Sequence, residues 1–168
     1  MKKITIVLVA LLCLVGCNNK KEENKDEITS NVVSNSNSNI TSNTNNDYDE
    51  SKVGTNKVNF YLFYLSTCPH CHEELEWLET IEKKYSYLNI IKYEVQENSE
   101  LYEKVVEKMN INDYHVPLTI IGSDYMIGYS STKNEDFINL IKKYSTYSSC
   151  DVVNTIKNNG DVEKCMKK

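Results

Sequence analysis

The second half of the chain alternates between continuous apolar runs and apolar residues spaced like one face of a helix. Residues 58–65 form an apolar and aromatic run that is too short for a typical helix, and this run predicts a central strand. After Thr67, apolar residues recur every three or four positions among glutamates and lysines as far as Leu88, which predicts an amphipathic helix. A second strand is predicted at residues 90–95 and a second helix at residues 99–109.

A hairpin and a third helix complete the pattern. Residues 118–121 and 125–129 are apolar runs, and the Gly-Ser-Asp turn between them predicts an antiparallel pair. Thr132 and Glu135 have the spacing of a capping box ahead of a third amphipathic helix. The predicted order is therefore β-α-β-α-β-β-α, an α/β fold in which one domain occupies residues 57–147.

Residues 1–16 have the pattern of a targeting signal. Lys2 and Lys3 precede an apolar run of about a dozen residues, which is too short to span a bilayer core of about 30 Å. The Leu-Val-Gly-Cys at residues 14–17 resembles the lipobox of bacterial lipoproteins, in which the signal peptide is removed and the cysteine is acylated. The resemblance implies that Cys17 anchors the mature chain on the outer side of a bacterial cell membrane. A secretory signal with a chance cysteine is the alternative.

Residues 17–56 contain few apolar side chains and consist mainly of Asn, Ser, Thr, Lys, Glu and Asp. Such a composition cannot bury enough surface to offset the loss of chain entropy. We therefore predict a disordered tether, and about 40 flexible residues give a root-mean-square reach of about 35 Å. A domain on this tether can stand off a membrane and meet neighbouring proteins.

Charge and cysteine content narrow the choice of partners. The 19 basic residues are all lysines, they face 24 acidic residues, and the formal net charge is −5. An acidic chain without the arginine fork is not expected to bind nucleic acid. Six cysteines are many for a cytosolic protein of this size, and they indicate an oxidising compartment.

Two motifs lie next to predicted elements. Cys-Pro-His-Cys occupies residues 68–71 between the first strand and its helix, and Val116 and Pro117 precede the hairpin. The two motifs hold both prolines of the chain. Residues 57–147 resemble the thioredoxin superfamily in its compact glutaredoxin-like form, which places a cis-proline beside its active-site cysteines. The resemblance implies a thiol-disulfide oxidoreductase that needs no cofactor or metal and whose client groove includes Val116 and Pro117.

Disulfide exchange requires a thiolate, and the motif supplies reasons for one to form. Cys68 is predicted at the N-terminus of the first helix, where unpaired backbone N–H groups and the helix dipole favour the anion. A protonated His70 adds positive charge, and Pro69 fits a first helical position that needs no N–H. Cys71 is predicted to point into the helix-sheet interface and to resolve the mixed disulfide.

The dipeptide within the motif bears on the direction of electron flow. Stabilising the thiolate makes the disulfide form a stronger oxidant, so Pro-His favours donation of disulfides to clients. The Pro-His and Val-Pro pairs resemble those of DsbA-like disulfide oxidants, although the large helical insertion of that group is absent.

A buried carboxylate near the cysteines is not predicted. By the same resemblance, reductants of the family often carry an acidic residue six positions before the first cysteine, where this chain has Leu62. Glu73 and Glu74 are predicted to decorate the surface of the first helix. His72 and His115 are predicted as a solvated helix residue and a loop residue.

The remaining cysteines flank a short segment at the C-terminal end. Cys150 and Cys165 are the cysteines that remain in the mature chain after Cys17 is acylated and the motif pair is set aside, and an oxidising compartment favours their pairing. We predict that residues 148–168 form a helical tail closed by this disulfide. The pair is either a structural staple, which we favour, or a second redox pair that exchanges electrons with Cys68.

Two other classes of protein stay open. Cys-Pro-His-Cys-His is also the attachment pattern of a c-type haem, with His72 as one axial ligand and Met109 or Met126 as the other. A non-catalytic zinc-binding lipoprotein would use the cysteines and histidines of the same motif. A small helical cytochrome needs neither the upstream strand nor the placed proline, and ligands on one helical turn close a tetrahedral site poorly.

The sequence as a whole therefore favours one assignment. It predicts a lipid-anchored, extracytoplasmic thiol-disulfide oxidoreductase. We expect the protein to be monomeric, to act on client proteins with thiols or disulfides, and to be recycled by a redox partner in the membrane.

Overall fold

The computed structural model describes residues 47–166, in which four strands combine with five helices. The strands are β1 (Val58–Tyr64), β2 (Leu88–Glu94), β3 (Leu118–Ile121) and β4 (Asp124–Ile127). The helices are α1 (Pro69–Glu82), α2 (Ser99–Lys108), α3 (Asn134–Ser145), α4 (Val152–Lys157) and α5 (Glu163–Met166), with 3₁₀ turns at Glu50–Lys52 and Ser131–Lys133. Among these elements no helix has the length and hydrophobicity needed to cross a membrane.

The strands form one sheet in the order β2-β1-β3-β4, so β1 is central. β1 and β2 are parallel, with Val58 opposite Leu88, and α1 is the crossover between them. β3 runs antiparallel to β1, with Leu62 opposite Thr119, and β4 returns antiparallel to β3. This topology confirms the predicted α/β class and the order β-α-β-α-β-β-α.

Side chains of β1 alternate between two cores, one on each face of the sheet. Tyr61 and Phe63 pack with α2 and α4, whereas Phe60 and Leu62 pack with α1 and α3. β1 is therefore covered on both faces, which explains why its sequence is a continuous apolar run.

Two predicted details of the helices are wrong. The predicted first helix included Leu88, but α1 ends at Glu82, because the amides of Lys84 and Tyr85 both bond to the carbonyl of Ile81 and turn the chain into β2. The predicted capping box at the third helix does not form, since Thr132 lies in a 3₁₀ turn and its hydroxyl contacts that of Ser130.

The last residues assigned to the tether pack on the domain. Gly54 donates its N–H to the hydroxyl of Ser145 at 2.8 Å, and Asn56 donates its N–H to the Ser145 carbonyl at 2.9 Å. Thr55 donates its hydroxyl to the same carbonyl at 3.0 Å. The folded region therefore begins before residue 57 and is held to the end of α3.

The C-terminal segment is part of the core. Val152 and Val153 of α4 are fully buried against α2 and the sheet. Cys150 and Cys165 form the predicted disulfide, with their Cα atoms 5.3 Å apart. The segment holds two short helices, α4 and α5, which agrees with the predicted helical tail.

Candidate active site

Cys68 is the N-cap residue of α1. Its backbone is extended, Pro69 occupies the first helical position, and the Cys71 N–H donates to the Cys68 sulfur at 3.3 Å. The helix therefore directs an otherwise unpaired N–H at the sulfur, and this contact stabilises a thiolate there. Cys68 is partly exposed, whereas Cys71 is fully buried one turn further on.

The loop that carries Cys68 is held from two sides. The Ser66 N–H donates to Glu94 Oε1 at 3.2 Å, and His72 Nε2 bonds to the Ser66 carbonyl at 2.7 Å. His72 is an exposed residue of α1, as predicted, and its ring also ties α1 back to the preceding loop. Glu94 was not anticipated; it ends β2, and its carboxylate also accepts the N–H of Gln96 at 2.7 Å.

The segment before β3 lies against the Cys68 sulfur. The Val116–Pro117 peptide bond is cis, and the Cys68 thiol lies 3.8 Å from the Val116 carbonyl. Tyr102 of α2 donates its hydroxyl to the His115 carbonyl at 3.3 Å, and the Gly128 N–H bonds to the Pro117 carbonyl at 2.8 Å. The structure therefore brings Val116, in the segment held by these contacts, beside Cys68.

His70 lies on the exposed surface of the first turn of α1. Its Nδ1 is 3.3 Å from Glu73 Oε2, and both side chains are mainly exposed. A protonated His70 therefore has a carboxylate neighbour on its own helix, and water screens this pair.

Glu74 is the residue that the sequence interpretation missed. The prediction of a surface position is wrong, because Glu74 is 1% exposed and accepts a 2.5 Å hydrogen bond from the Thr119 hydroxyl. Burial raises the pKa of the Glu74 carboxyl to about 7, while the Thr119 hydrogen bond and the positive charge of Lys133 oppose the rise. The spacing of Cys71, Glu74 and Leu78 was the available signal, since it defines one buried helix face.

The environment of Cys71 keeps it protonated. Burial raises the pKa of its thiol to about 12, and the hydrogen bond with Cys68 and the charge of Glu74 act in the same direction. The two motif cysteines are thus unequal: one is an accessible sulfur at a helix N-terminus and the other is a buried thiol.

The candidate axial ligands of a c-type haem lie in separate parts of the domain. Met109 lies in the core beneath α2, whereas Met126 packs against the core on the opposite face of the sheet, and His72 is exposed. In residues 47–166 no three His, Cys, Asp or Glu side chains are grouped to hold a metal ion. Cys17, the predicted lipidation site, lies outside the described residues.

The Cys150–Cys165 disulfide lies at the other end of β1 from Cys68. Asp151, next to Cys150, accepts hydrogen bonds from Asn59 at 2.6 Å and from Tyr61 at 2.8 Å, in the first half of the strand. Cys68 follows the end of the strand, and the five residue-to-residue steps from Asn59 to Tyr64 alone span about 17 Å.

Comparison with known proteins gives partial structural similarities. No family model and no curated protein matches the chain. Mitochondrial thioredoxin 3 of Saccharomyces cerevisiae has 19% identity and a TM-score of 0.39, covering 53% of this chain and 83% of its own. The thioredoxin of Plasmodium falciparum has 23% identity and a TM-score of 0.41, and the match covers 55% of this chain and 88% of that protein. A glutaredoxin of Archaeoglobus fulgidus has 31% identity and a TM-score of 0.35, and the match covers 51% of this chain and 88% of that protein. The fold itself, with its strand order and two helical layers, is the thioredoxin-like one predicted.

Proposed function

We propose that this chain is a membrane-tethered, extracytoplasmic thiol-disulfide oxidoreductase with Cys68 as the attacking sulfur. The observation that carries the proposal is the paired environment of the two motif cysteines. Cys68 receives the Cys71 N–H at the start of α1 and is partly exposed, and Cys71 is buried directly behind it. One sulfur is thus available to a client, and the other is reached only from within the protein.

In the oxidising direction, a client thiolate attacks the Cys68 sulfur of a Cys68–Cys71 disulfide. The client–Cys68 bond forms, the bond between the two cysteines breaks, and the Cys71 sulfur leaves with the electron pair. A second thiolate of the same client then attacks the client sulfur that is bonded to Cys68, and Cys68 leaves as a thiolate. The client is oxidised by two electrons, the motif pair is reduced, and a membrane redox partner reoxidises it.

The helix N-terminus favours the oxidising direction. Cys68 leaves as an anion that the Cys71 N–H and the helix dipole stabilise, which makes the disulfide form the stronger oxidant. A protonated His70 adds to this effect. A reduction potential near about −120 mV would indicate an oxidant, and a value near about −270 mV would indicate a reductant.

Clients are proposed to lie across the segment before β3. The Val116 carbonyl lies beside the Cys68 sulfur, and Tyr114, which is 64% exposed, extends the same segment. A carbonyl next to the reacting sulfur can accept an N–H from an extended client, which is how backbone recognition accommodates many sequences.

The tether supports action on proteins near a membrane surface. The lipobox resemblance assigns Cys17 as the acylated residue. The polar tether after Cys17 would let the domain reach about 35 Å from its anchor. An anchored enzyme raises the local concentration of its clients and of its redox partner.

The experiment is the reduction of a peptide disulfide that carries a quenched fluorophore, with excess dithiothreitol as the electron donor that re-reduces the Cys68/Cys71 pair. The wild-type protein should release fluorescence catalytically, and Cys68→Ser should abolish turnover. Glu76→Gln, which changes an exposed side chain of α1 away from the cysteines and the client segment, is the control and should retain most of the activity. Equal turnover by the wild type and Cys68→Ser would refute the assignment of the nucleophile.

A further inference from the structure

Cys71 poses a proton-transfer problem that the proposed function does not solve. Its thiol is fully buried, yet each exchange cycle requires it to lose or gain a proton as its sulfur joins or leaves Cys68. Solvent does not reach the sulfur, so a group of the protein must take the proton. The chain has Leu62, an apolar residue, on the strand that faces α1.

Glu74 is placed to do this. It is three residues after Cys71 on α1, and residues at this spacing lie on one helix face with Cβ atoms about 5–6 Å apart. Both residues belong to the buried face of α1, and the charge of Glu74 raises the pKa of Cys71, so the two groups interact.

The carboxyl is held in position from the sheet. The Thr119 hydroxyl donates to Glu74 Oε1 at 2.5 Å. Thr119 pairs with Leu62 across β1 and β3, so the two side chains lie on the sheet face that α1 covers. The Glu74 carboxyl oxygen is thereby fixed between the helix and the sheet. The residue that holds it, Thr119, lies two positions after Pro117.

We propose that Glu74 exchanges the proton with Cys71, so that the buried carboxyl serves as base when the mixed disulfide is resolved and as acid when the Cys68–Cys71 disulfide is opened. The inference rests on the proposed function. During resolution the Cys71 proton passes to the Glu74 carboxylate while the Cys71 sulfur attacks Cys68. The Cys68–Cys71 bond forms, the Cys68–client bond breaks, and the client leaves as a thiolate.

The groups around Glu74 set the pH at which it can accept a proton. Cys71 lies on the same helix, Lys133 and Tyr129 interact electrostatically with Glu74 from the segment after β4, and Thr119 bonds to it from β3. With the pKa of Glu74 raised to about 7, both of its protonation states are populated near neutral pH. A base is most effective when its pKa lies near the working pH.

The test is a pH-jump measurement on the full-length protein in detergent. Cys68 is loaded with a fluorescent peptide as a mixed disulfide at pH 4, and peptide release is then followed from pH 5 to pH 9. For the wild type we expect the release rate to rise with pH and to level off above about pH 7, as Glu74 becomes ionised. Glu74→Gln keeps the shape and an acceptor for Thr119, and it should release the peptide about 100-fold more slowly at pH 7.

A purely electrostatic role predicts the opposite result. The charge of Glu74 disfavours the Cys71 thiolate, so removing the charge alone would lower the pKa of Cys71 and speed release. Release from Glu74→Gln that is unchanged or faster therefore overturns the inference. Glu76→Gln removes the same charge from an exposed position on α1 and should behave as the wild type.

A second variant decides the question if Glu74→Gln does not fold. Thr119→Val removes the hydrogen bond that lowers the pKa of Glu74, so the inflection of the release profile should move to higher pH. An inflection that stays in place contradicts the inference. Failure to load Cys68 in the wild type would count against the proposed function itself, whereas normal loading with normal release from Glu74→Gln counts against Glu74 alone.

Discussion

The hydroxyl of Thr119 donates a 2.5 Å hydrogen bond to the buried carboxyl of Glu74 and so joins the strand after Pro117 to the helix that begins after Cys68. Two parts of the chain that carry the motifs are thereby linked through an acidic side chain. A buried carboxyl with a single strong donor is costly to ionise, and this cost has a measurable consequence for stability.

The first prediction concerns stability against pH. Folding raises the pKa of Glu74 from 4.5 to about 7, so the folded state binds the proton more tightly than the unfolded state. The stabilising contribution is complete below about pH 4.5, is lost as pH rises towards 7, and stays absent above that. The change is about 3 kcal/mol, because one pKa unit corresponds to about 1.4 kcal/mol.

Urea unfolding at pH 5 and pH 8 measures this effect. In Glu74→Gln the difference between the two free energies of unfolding should be smaller by about 3 kcal/mol than in the wild type. Glu76→Gln should leave the difference unchanged. An identical difference in all three proteins would show that Glu74 titrates normally.

The second prediction concerns the turn between β3 and β4. Gly122 has φ +61°, and a Cβ atom there would lie 2.0 Å from the ring of Tyr144, whose hydroxyl is fixed by the Ser123 N–H and Asp124. Gly122→Ala should destabilise the fold by about 3 kcal/mol, from backbone strain and overpacking together. The matched control is Gly128→Ala, also at positive φ, where the nearest atom is the Lys133 Nζ at 3.9 Å.

Chemical unfolding of the two glycine variants separates strain from packing. Gly128→Ala should be destabilised only by backbone strain, which lowers the free energy of unfolding by about 1 kcal/mol. Equal losses in the two variants would mean that Tyr144 moves aside and that the packing adds nothing.

The third prediction concerns the C-terminal disulfide. Cys150 and Cys165 lie 15 positions apart, and closing such a loop restricts the unfolded chain by about 3 kcal/mol. Cys150→Ser/Cys165→Ser should lower the Tm by about 10 °C, since about 1 kcal/mol shifts a domain of this size by several degrees. Peptide exchange through Cys68 should persist.

The opposite pattern would assign the pair to electron transfer. Lost turnover with an unchanged Tm would contradict a structural role for the disulfide. The position of Asp151 beside Asn59, at the end of β1 remote from Cys68, favours the structural role.

The fourth prediction concerns membrane attachment. Cys17→Ala should release the protein from the membrane fraction of a bacterial host, because a dozen apolar residues are too few for a stable span. Cys13→Ala, a change within the segment that is proposed to be removed, should leave the protein attached. Cell fractionation and immunoblotting measure both, and attachment of Cys17→Ala would contradict the lipoprotein assignment.

Much of the fold was predictable because its signals are local. The continuous run of β1 and the three- and four-residue spacings of α1 and α3 follow directly from which faces are buried. The end of α1 was not predictable in this way, because Tyr85 packs on the core from a turn and continues the apolar spacing past the helix.

The site was predictable only in part. The pair Cys68 and Cys71 carries its spacing in the sequence, whereas Glu74 was placed at the surface because an acidic residue is rarely buried. Its partner Thr119 is 45 residues away, and no local pattern encodes a hydrogen bond of that separation. The contact between Asp151 and Asn59 was not predictable for the same reason, because the two residues are 92 positions apart.

The central claim is that Cys68 attacks and Cys71 resolves, and trapping in whole cells tests it most directly. In Cys71→Ser the first exchange proceeds and the second cannot, so mixed disulfides with clients should accumulate as high-mass bands on a non-reducing gel and disappear on reduction. Cys68→Ser should give none of these bands. Identical band patterns for the two variants would contradict the assignment of both cysteines.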